Sequence, residues 1–222
     1  MWNNIKYGVI LVAVTNIVAE DFWTQVLNSH YVRRVSHFNT LPIRKGAIIF
    51  LGDSITEQCN WEELFDHPNM ANRGIGGDVV EGIFKRLDFL KESEPASLFL
   101  MVGINNLNQG DTPEETFKGY KKIVNRIRSY NPNLKLFLQS ILPINKNTFI
   151  GEPIATNEKI DSLNQNIKLL AKNVGAEFIN LYPHFLNPDL QLDNTYSNDG
   201  LHLNGKGYLL WKKLIKKYMR EI

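Results

Sequence analysis

Apolar residues are distributed along this chain in two alternating patterns. Short, largely apolar blocks occur at 48–51, 97–102 and 134–140, lengths that suit strands buried on both faces of a parallel sheet. Between them lie longer segments in which apolar residues recur every three or four positions. Val80, Ile83, Phe84, Leu87 and Leu90 do so within 79–91, and the same spacing runs from Pro113 to about Tyr130, over 156–173, and through Leu209, Leu210, Leu214, Ile215 and Tyr218. That spacing predicts amphipathic helices. Two further strands are predicted, one inside Asn69–Asp78 that runs into a glycine-rich loop and one at 177–179. Strands alternating with helices at these intervals predict an α/β fold with a parallel, doubly wound sheet.

Local punctuation agrees with this pattern. Thr112-Pro113-Glu114-Glu115 places a proline and two acids in the first turn of a helix, Asn131-Pro132 stops that helix, and Asn204 is placed to cap the last one. Ahead of the first strand, Phe22, Trp23, Val26, Leu27, Tyr31, Val32, Val35 and Phe38 predict a helix or helix pair that caps the domain, ended by Pro42. His30 and His37 in that stretch, and His67 beside Pro68, read as structural or loop residues. At the start, one positive charge at Lys6 precedes the mostly apolar Tyr7–Ala19 run. This resembles a secretory signal peptide cleaved after Ala19. The expectation is therefore an exported, periplasmic or secreted, protein if this run is a signal peptide and a cytoplasmic one otherwise, with a single domain over 20–222 and a helical extension at 20–45. The run is too short to span a bilayer, so no stable membrane insertion is expected.

Composition narrows the chemistry. A chain of 222 residues suits one α/β domain, and a formal net charge of +2 makes no case for nucleic acid. The late basic residues Lys206, Lys212, Lys213, Lys216, Lys217 and Arg220 fit a solvated helix face, several of them suited to the negative dipole end. The one cysteine, Cys59, excludes an internal disulfide and a multi-cysteine metal site. It reads as a small buried residue, not a nucleophile.

Candidate chemistry gathers where strands are expected to end. In open α/β sheets, ligands bind beyond the carboxyl ends of the strands. Ser54 follows the block Ile48-Ile49-Phe50-Leu51-Gly52-Asp53. Gly-Asp-Ser is also ordinary turn and N-cap chemistry, so this stretch alone does not define a site. Gly74, Asn105 and the pair Asp199/His202 occupy other such ends. Acyl transfer needs a nucleophile, a base, a group that orients the base, and donors for an oxyanion, and these residue types supply each. The loop Gly74-Ile75-Gly76-Gly77-Asp78 could alternatively cradle an anion. Its glycine spacing does not match the dinucleotide fingerprint, and no Gly-Lys-Ser/Thr follows.

Four ordered blocks carry a specific resemblance. Gly52-Asp53-Ser54-Ile55, Asn72-Arg73-Gly74, Gly103-Ile104-Asn105-Asn106 and Asp199-Gly200-Leu201-His202 are similar to the motifs of the SGNH/GDSL hydrolase superfamily, across residues 46–210. The first two blocks resemble the branch containing platelet-activating-factor acetylhydrolase-like enzymes and carbohydrate acetylesterases. The resemblance implies a three-layer α/β/α, flavodoxin-like fold with a five-stranded parallel sheet. It implies a serine esterase that removes short acyl groups, O-acetyl above all, from a small-molecule or glycan ester, with no metal or organic cofactor. Ser54 would be the nucleophile, His202 the general base and Asp199 its orienting partner. The backbone N–H groups of Ser54 and Gly74 and the Asn105 amide would form the oxyanion hole. Lipid and thioester substrates remain alternatives, as do a catalytically silent glycan-binding relative and a phosphate- or nucleotide-binding domain.

Asn106 stands where many members of that superfamily carry Asp, which implies a lost hydrogen bond or loop contact near the site. His184, just after a predicted strand, is the alternative base, although it lacks the Asp-x-x-His arrangement. Ile55, Ile75, Asn106 and Leu201 are candidate acyl-pocket residues by proximity in sequence.

Overall fold

The computed structural model describes Phe22 and residues 24–219; the signal-like run at 1–19 and the charged terminus at 220–222 lie outside the described residues. Helix α1 occupies 24–40. It is one helix where the spacing allowed a pair. β1 (Ile48–Gly52) leads into two short helices, α2 (Ser54–Glu57) and α3 (Trp61–Phe65). β2 (Met70–Gly74) precedes α4 (Val80–Lys85) and a 3-10 turn at Leu87–Leu90. The single helix expected over 79–91 is therefore broken at Arg86. β3 (Ser97–Met101), α5 (Ile104–Asn108), α6 (Pro113–Tyr130), β4 (Lys135–Gln139), α7 (Asn157–Asn173), β5 (Glu177–Ile179) and α8 (Gly205–Met219) complete the order, with a 3-10 turn at Tyr182–His184.

The five strands are all parallel, in the order β2-β1-β3-β4-β5. Because side chains alternate along a strand, register places Phe50, Phe99 and Phe137 in one row on one face. Their rings stack at centroid separations of 5.0 and 4.3 Å, and Trp61 lies 3.7 Å from Phe50. Leu51, Leu100 and Leu138 form the matching row on the other face. Helices α3 and α8 contact each other, as do α4, α6 and α7. The result is an α/β/α sandwich with a doubly apolar sheet, which is why the strands read as blocks and not as alternations.

Helix ends follow the expected chemistry. The Thr112 hydroxyl accepts from Glu115 N–H at 3.2 Å, while the Glu115 carboxylate accepts from Thr112 N–H at 2.9 Å, a closed capping box. Asn204 Oδ1 accepts from Lys206 and Gly207 N–H at 3.0 and 3.2 Å, capping α8. Among the described residues, no helix is long and apolar enough to cross a membrane.

The chain leaves β1 for β2 on one side and then returns to β3 on the other. The switch point therefore lies at the carboxyl ends of β1 and β3, the place where open α/β sheets bind ligands. Ser54 follows β1 and Asn105 follows β3.

Candidate active site

Ser54 is the first residue of α2, and Asp53 is its N-cap. A four-residue helix has no internal means of satisfying its own ends, so distant side chains do it. Asn72 Nδ2 lies 3.1, 2.9 and 2.9 Å from the carbonyls of Thr56, Glu57 and Cys59. Trp61 Nε1 donates to Thr56 O at 3.0 Å, and Tyr208 OH donates to Ile55 O at 2.8 Å. The nucleophile turn is thereby tied to β2, α3 and α8.

His202 reaches Ser54 from a tight loop closed by the Ser197–Leu203 bridge. Its Nε2 lies 2.9 Å from Ser54 Oγ, and its Nδ1 lies 2.7 Å from Asp199 Oδ2. Asp199 Oδ1 also accepts from the N–H groups of Leu201 and His202 at 3.0 and 2.8 Å. Partial burial pushes the Asp199 carboxyl up, but hydrogen bonds from the His202 ring and from these two N–H groups outweigh it. The carboxyl lies below its ordinary value. An ionised Asp199 fixes the proton on Nδ1 and turns the Nε2 lone pair toward the Ser54 hydroxyl. Gly200 has φ +77°, and a Cβ there would lie 2.8 Å from Phe149 N, so this glycine lets the 145–149 loop brace the histidine loop.

The donors near Ser54 differ from the expected set in one place. Asn105 donates one amide hydrogen to Asp78 O at 2.9 Å, which leaves its second hydrogen. Among the described residues, Ser54 N–H has no acceptor. Gly74 N–H, expected in the oxyanion hole, instead donates to Asn72 Oδ1 at 2.8 Å. The reason for a glycine at 74 is also different: a Cβ there would overlap the backbone of Glu57, so it admits α2 and not a substrate. The N–H of this loop that stays open is that of Gly77. This glycine has φ +76°, Asp78 N–H closes the turn onto Ile75 O at 3.1 Å, and Gly77 N–H has no acceptor among the described residues. Gly77 precedes the Asp78 carbonyl that holds Asn105. A type II turn demands positive φ at its third residue, which is why a glycine stands at 77.

The glycine-rich loop is not an open anion cradle, because Gly76 N–H is taken by Glu57 Oε2 at 2.6 Å as Gly74 N–H is by Asn72. Asn106 loses no contact. Its Oδ1 accepts from Val80 N–H at 3.0 Å, and its Nδ2 donates to Asp111 and Glu81 at 2.9 and 3.2 Å. His184 is exposed on its 3-10 turn and has no bond to Ser54. Cys59 is buried, and burial pushes its thiol up to about 12. Of the candidate acyl-pocket residues, Ile55, Ile75 and Asn106 are buried and Leu201 is half-buried.

Behind Ser54, Asp78 pairs with Arg86 Nε at 2.8 Å, and Arg86 Nη2 donates to Gly52 O at 3.1 Å. Asp53 is 1% exposed and accepts from Ile55 N–H at 3.1 Å. Burial, reinforced by Asp78 and opposed by the Ile55 bond and Arg86, raises its carboxyl to about 7. The folded protein thus keeps a proton on Asp53 that the unfolded chain releases above about pH 4. This group's contribution to stability therefore falls as pH rises from about 4 to about 7, and is level above that. Asp53→Asn retains a capping oxygen and is expected to remove that fall. Stability at pH 8 should rise by on the order of 1–4 kcal/mol with little change at pH 4, as read by urea unfolding at both values.

A parallel α/β/α sandwich with a serine at its switch point, faced by histidine and aspartate, defines the class of esterase-like hydrolases. The sequence model of the GDSL-like lipase/acylhydrolase family matches residues 50–210, and the chain belongs to that family, within the SGNH/GDSL hydrolase superfamily. It is 30% identical over 172 residues to human platelet-activating factor acetylhydrolase IB subunit alpha1, covering 74% of this chain and 71% of that one. A Streptococcus pneumoniae structure described as a platelet activating factor aligns with TM-score 0.81 and 27% identity, covering 93% of this chain and 99% of that one. A GDSL-like lipase from Bacteroides thetaiotaomicron shares the fold at TM-score 0.72 and 23% identity, covering 86% and 97% of the two chains. Family membership makes the protein an ester hydrolase acting on small-molecule esters.

Proposed function

We propose that this protein is a serine esterase that removes short acyl groups, chiefly O-acetyl, through an acyl-enzyme intermediate, and that its natural substrate is an acetylated carbohydrate. One observation carries the mechanism: Ser54 Oγ lies 2.9 Å from His202 Nε2, whose Nδ1 lies 2.7 Å from Asp199 Oδ2. His202 takes the Ser54 proton as Oγ attacks the acyl carbon, and then gives it to the leaving alcohol. Water repeats the cycle in reverse roles to release the acid. Asp199 stabilises the imidazolium in between. The N–H groups of Ser54 and Gly77 and the free hydrogen of Asn105 Nδ2 receive the oxyanion, with Gly77 in place of the Gly74 expected earlier. Donors of this kind typically contribute a factor on the order of 100 to 1000 each.

The preference for acetyl is supported by the name of the human relative, an acetylhydrolase. The carbohydrate assignment rests on the resemblance of the first two motif blocks to carbohydrate acetylesterases. It is joined by the signal-like run at 1–19, which would carry the enzyme out to extracellular or periplasmic glycans. A panel of p-nitrophenyl acetate, O-acetylated sugars, acetylated lipids and acetyl thioesters tests this. Acetate release from the sugars with kcat/KM at least tenfold above the lipid esters is the expected result. Preference for the lipid or thioester members overturns the carbohydrate assignment. Binding of the sugars with no hydrolysis of any member would identify a silent glycan-binding relative.

A further inference from the structure

Helix α1 lies outside the span matched by the family, yet it packs on the loop that carries the oxyanion donors. Leu27, His30, Tyr31, Arg34 and Phe38 fall on one stripe of that helix. Four of the five are spent on docking. His30 Nε2 and Arg34 Nε lie 3.1 and 2.8 Å from the Glu57 carboxylate, which also accepts from Gly76 N–H at 2.6 Å. Tyr31 OH donates to Gly82 O at 2.9 Å. Phe38 is packed by the guanidinium groups of Arg34 and Arg73, 4.6 and 4.8 Å from its ring centroid, contacts that add cation–π attraction. The helix is therefore fixed to both α2 and the Gly74–Gly77 loop.

Leu27 is the exception on this stripe. It is 50% exposed although it points at the body of the protein. Its Cδ2 and Cδ1 lie 3.3 and 3.9 Å from where a Cβ on Gly77 would sit. An apolar side chain is thus held beside the free Gly77 N–H with much of its surface still in water. The carbonyl oxygen of a bound ester would point at that N–H, while the leaving oxygen must face His202 Nε2. What remains for Leu27 to touch is the acyl substituent.

We propose that Leu27 forms one apolar wall of the acyl subsite and adds contact that favours an acyl chain longer than acetyl. The proposal rests on the serine-esterase reading above and adds a specificity residue drawn from outside the family core. It is tested by kcat/KM for p-nitrophenyl acetate and p-nitrophenyl butyrate with wild type, Leu27→Ala and Leu27→Asp. A second series holds the acyl group as acetyl and varies the alcohol. Apolar contacts with one methylene in a closed pocket are worth about tenfold or more in kcat/KM, and a half-open wall gives less. Leu27→Ala is expected to lower the butyrate-to-acetate ratio about threefold to tenfold, and Leu27→Asp to lower it further. With acetyl held fixed, neither variant is expected to change the ranking across the alcohol series. An unchanged butyrate-to-acetate ratio in both variants, or a change confined to the alcohol series, overturns the acyl-wall assignment while leaving the esterase intact. A wild type inert toward every ester instead defeats the esterase reading, and the wall with it.

Discussion

Ser54→Ala and His202→Ala are each expected to lower kcat for p-nitrophenyl acetate on the order of 10^4-fold or more, with KM changed only a few-fold. In the proposed mechanism the two side chains act as one unit. Ser54 Oγ is a poor nucleophile until Nε2, 2.9 Å away, accepts its proton, and Nε2 has no other use in the site. The double variant should therefore be about as slow as either single one, because once either member is gone the other has nothing to act on. The fold should survive both changes. Among the described residues Ser54 Oγ bonds only His202, and the His202 side chain is 30% exposed, so neither removal opens a large buried void. Matching circular dichroism melts alongside steady-state kinetics check this. Independent, multiplying losses would mean that the two residues do not form one proton-transfer unit.

Asp199→Asn is expected to lower kcat by on the order of 10^3- to 10^4-fold with little loss of structure. Asp199 Oδ2 accepts from His202 Nδ1 at 2.7 Å while Oδ1 accepts from two backbone N–H groups at 3.0 and 2.8 Å. In Asn, the backbone pair can keep the oxygen, which turns the NH2 group toward Nδ1. That reversal favours the tautomer with its proton on Nε2, where it meets Ser54 as a competing donor. It also removes the charge that stabilises imidazolium in the transition state. Wild-type Asp199 lies below its ordinary value because three hydrogen bonds outweigh its partial burial, so its help persists well into acid. The wild-type pH–rate profile is therefore expected to show no acidic limb from Asp199. A pH–rate profile of wild type beside Asp199→Asn measures both effects.

Most of the sheet was legible because a parallel sheet buried on both faces needs continuous apolar blocks, and 48–51 and 97–102 have them. The edge strand β5 was legible at 177–179, but β2 was harder to bound. β2 reads Met-Ala-Asn-Arg-Gly, and its polar residues serve other ends: Asn72 holds the end of α2, and Arg73 stacks on Phe38. Helix existence was readable, but continuity was not. Arg86 interrupts α4 because its guanidinium is drawn inward to Asp78 and Gly52 O, a tertiary demand that periodicity does not record. In the site, Ser54, Asn105, Asp199 and His202 were identifiable as motif residues. The geometry that unites the last two is local, an Asp-x-x-His loop closed by backbone hydrogen bonds. Which N–H of the glycine loop is open was not legible, because three glycines within four residues do not reveal it. That depends on Asn72 and Glu57, which claim Gly74 and Gly76 and leave Gly77. The value of Leu27 was hidden for a related reason: an apolar position on an amphipathic helix reads as core until its surroundings are seen.

The most direct measurement is covalent trapping with a phosphonofluoridate ester, followed by peptide mass mapping. A serine acyl-enzyme mechanism requires stoichiometric labelling on the peptide containing Ser54, loss of esterase activity in step with labelling, and no label in Ser54→Ala. Labelling at another residue, or full esterase activity in a protein whose Ser54 is completely modified, would contradict it.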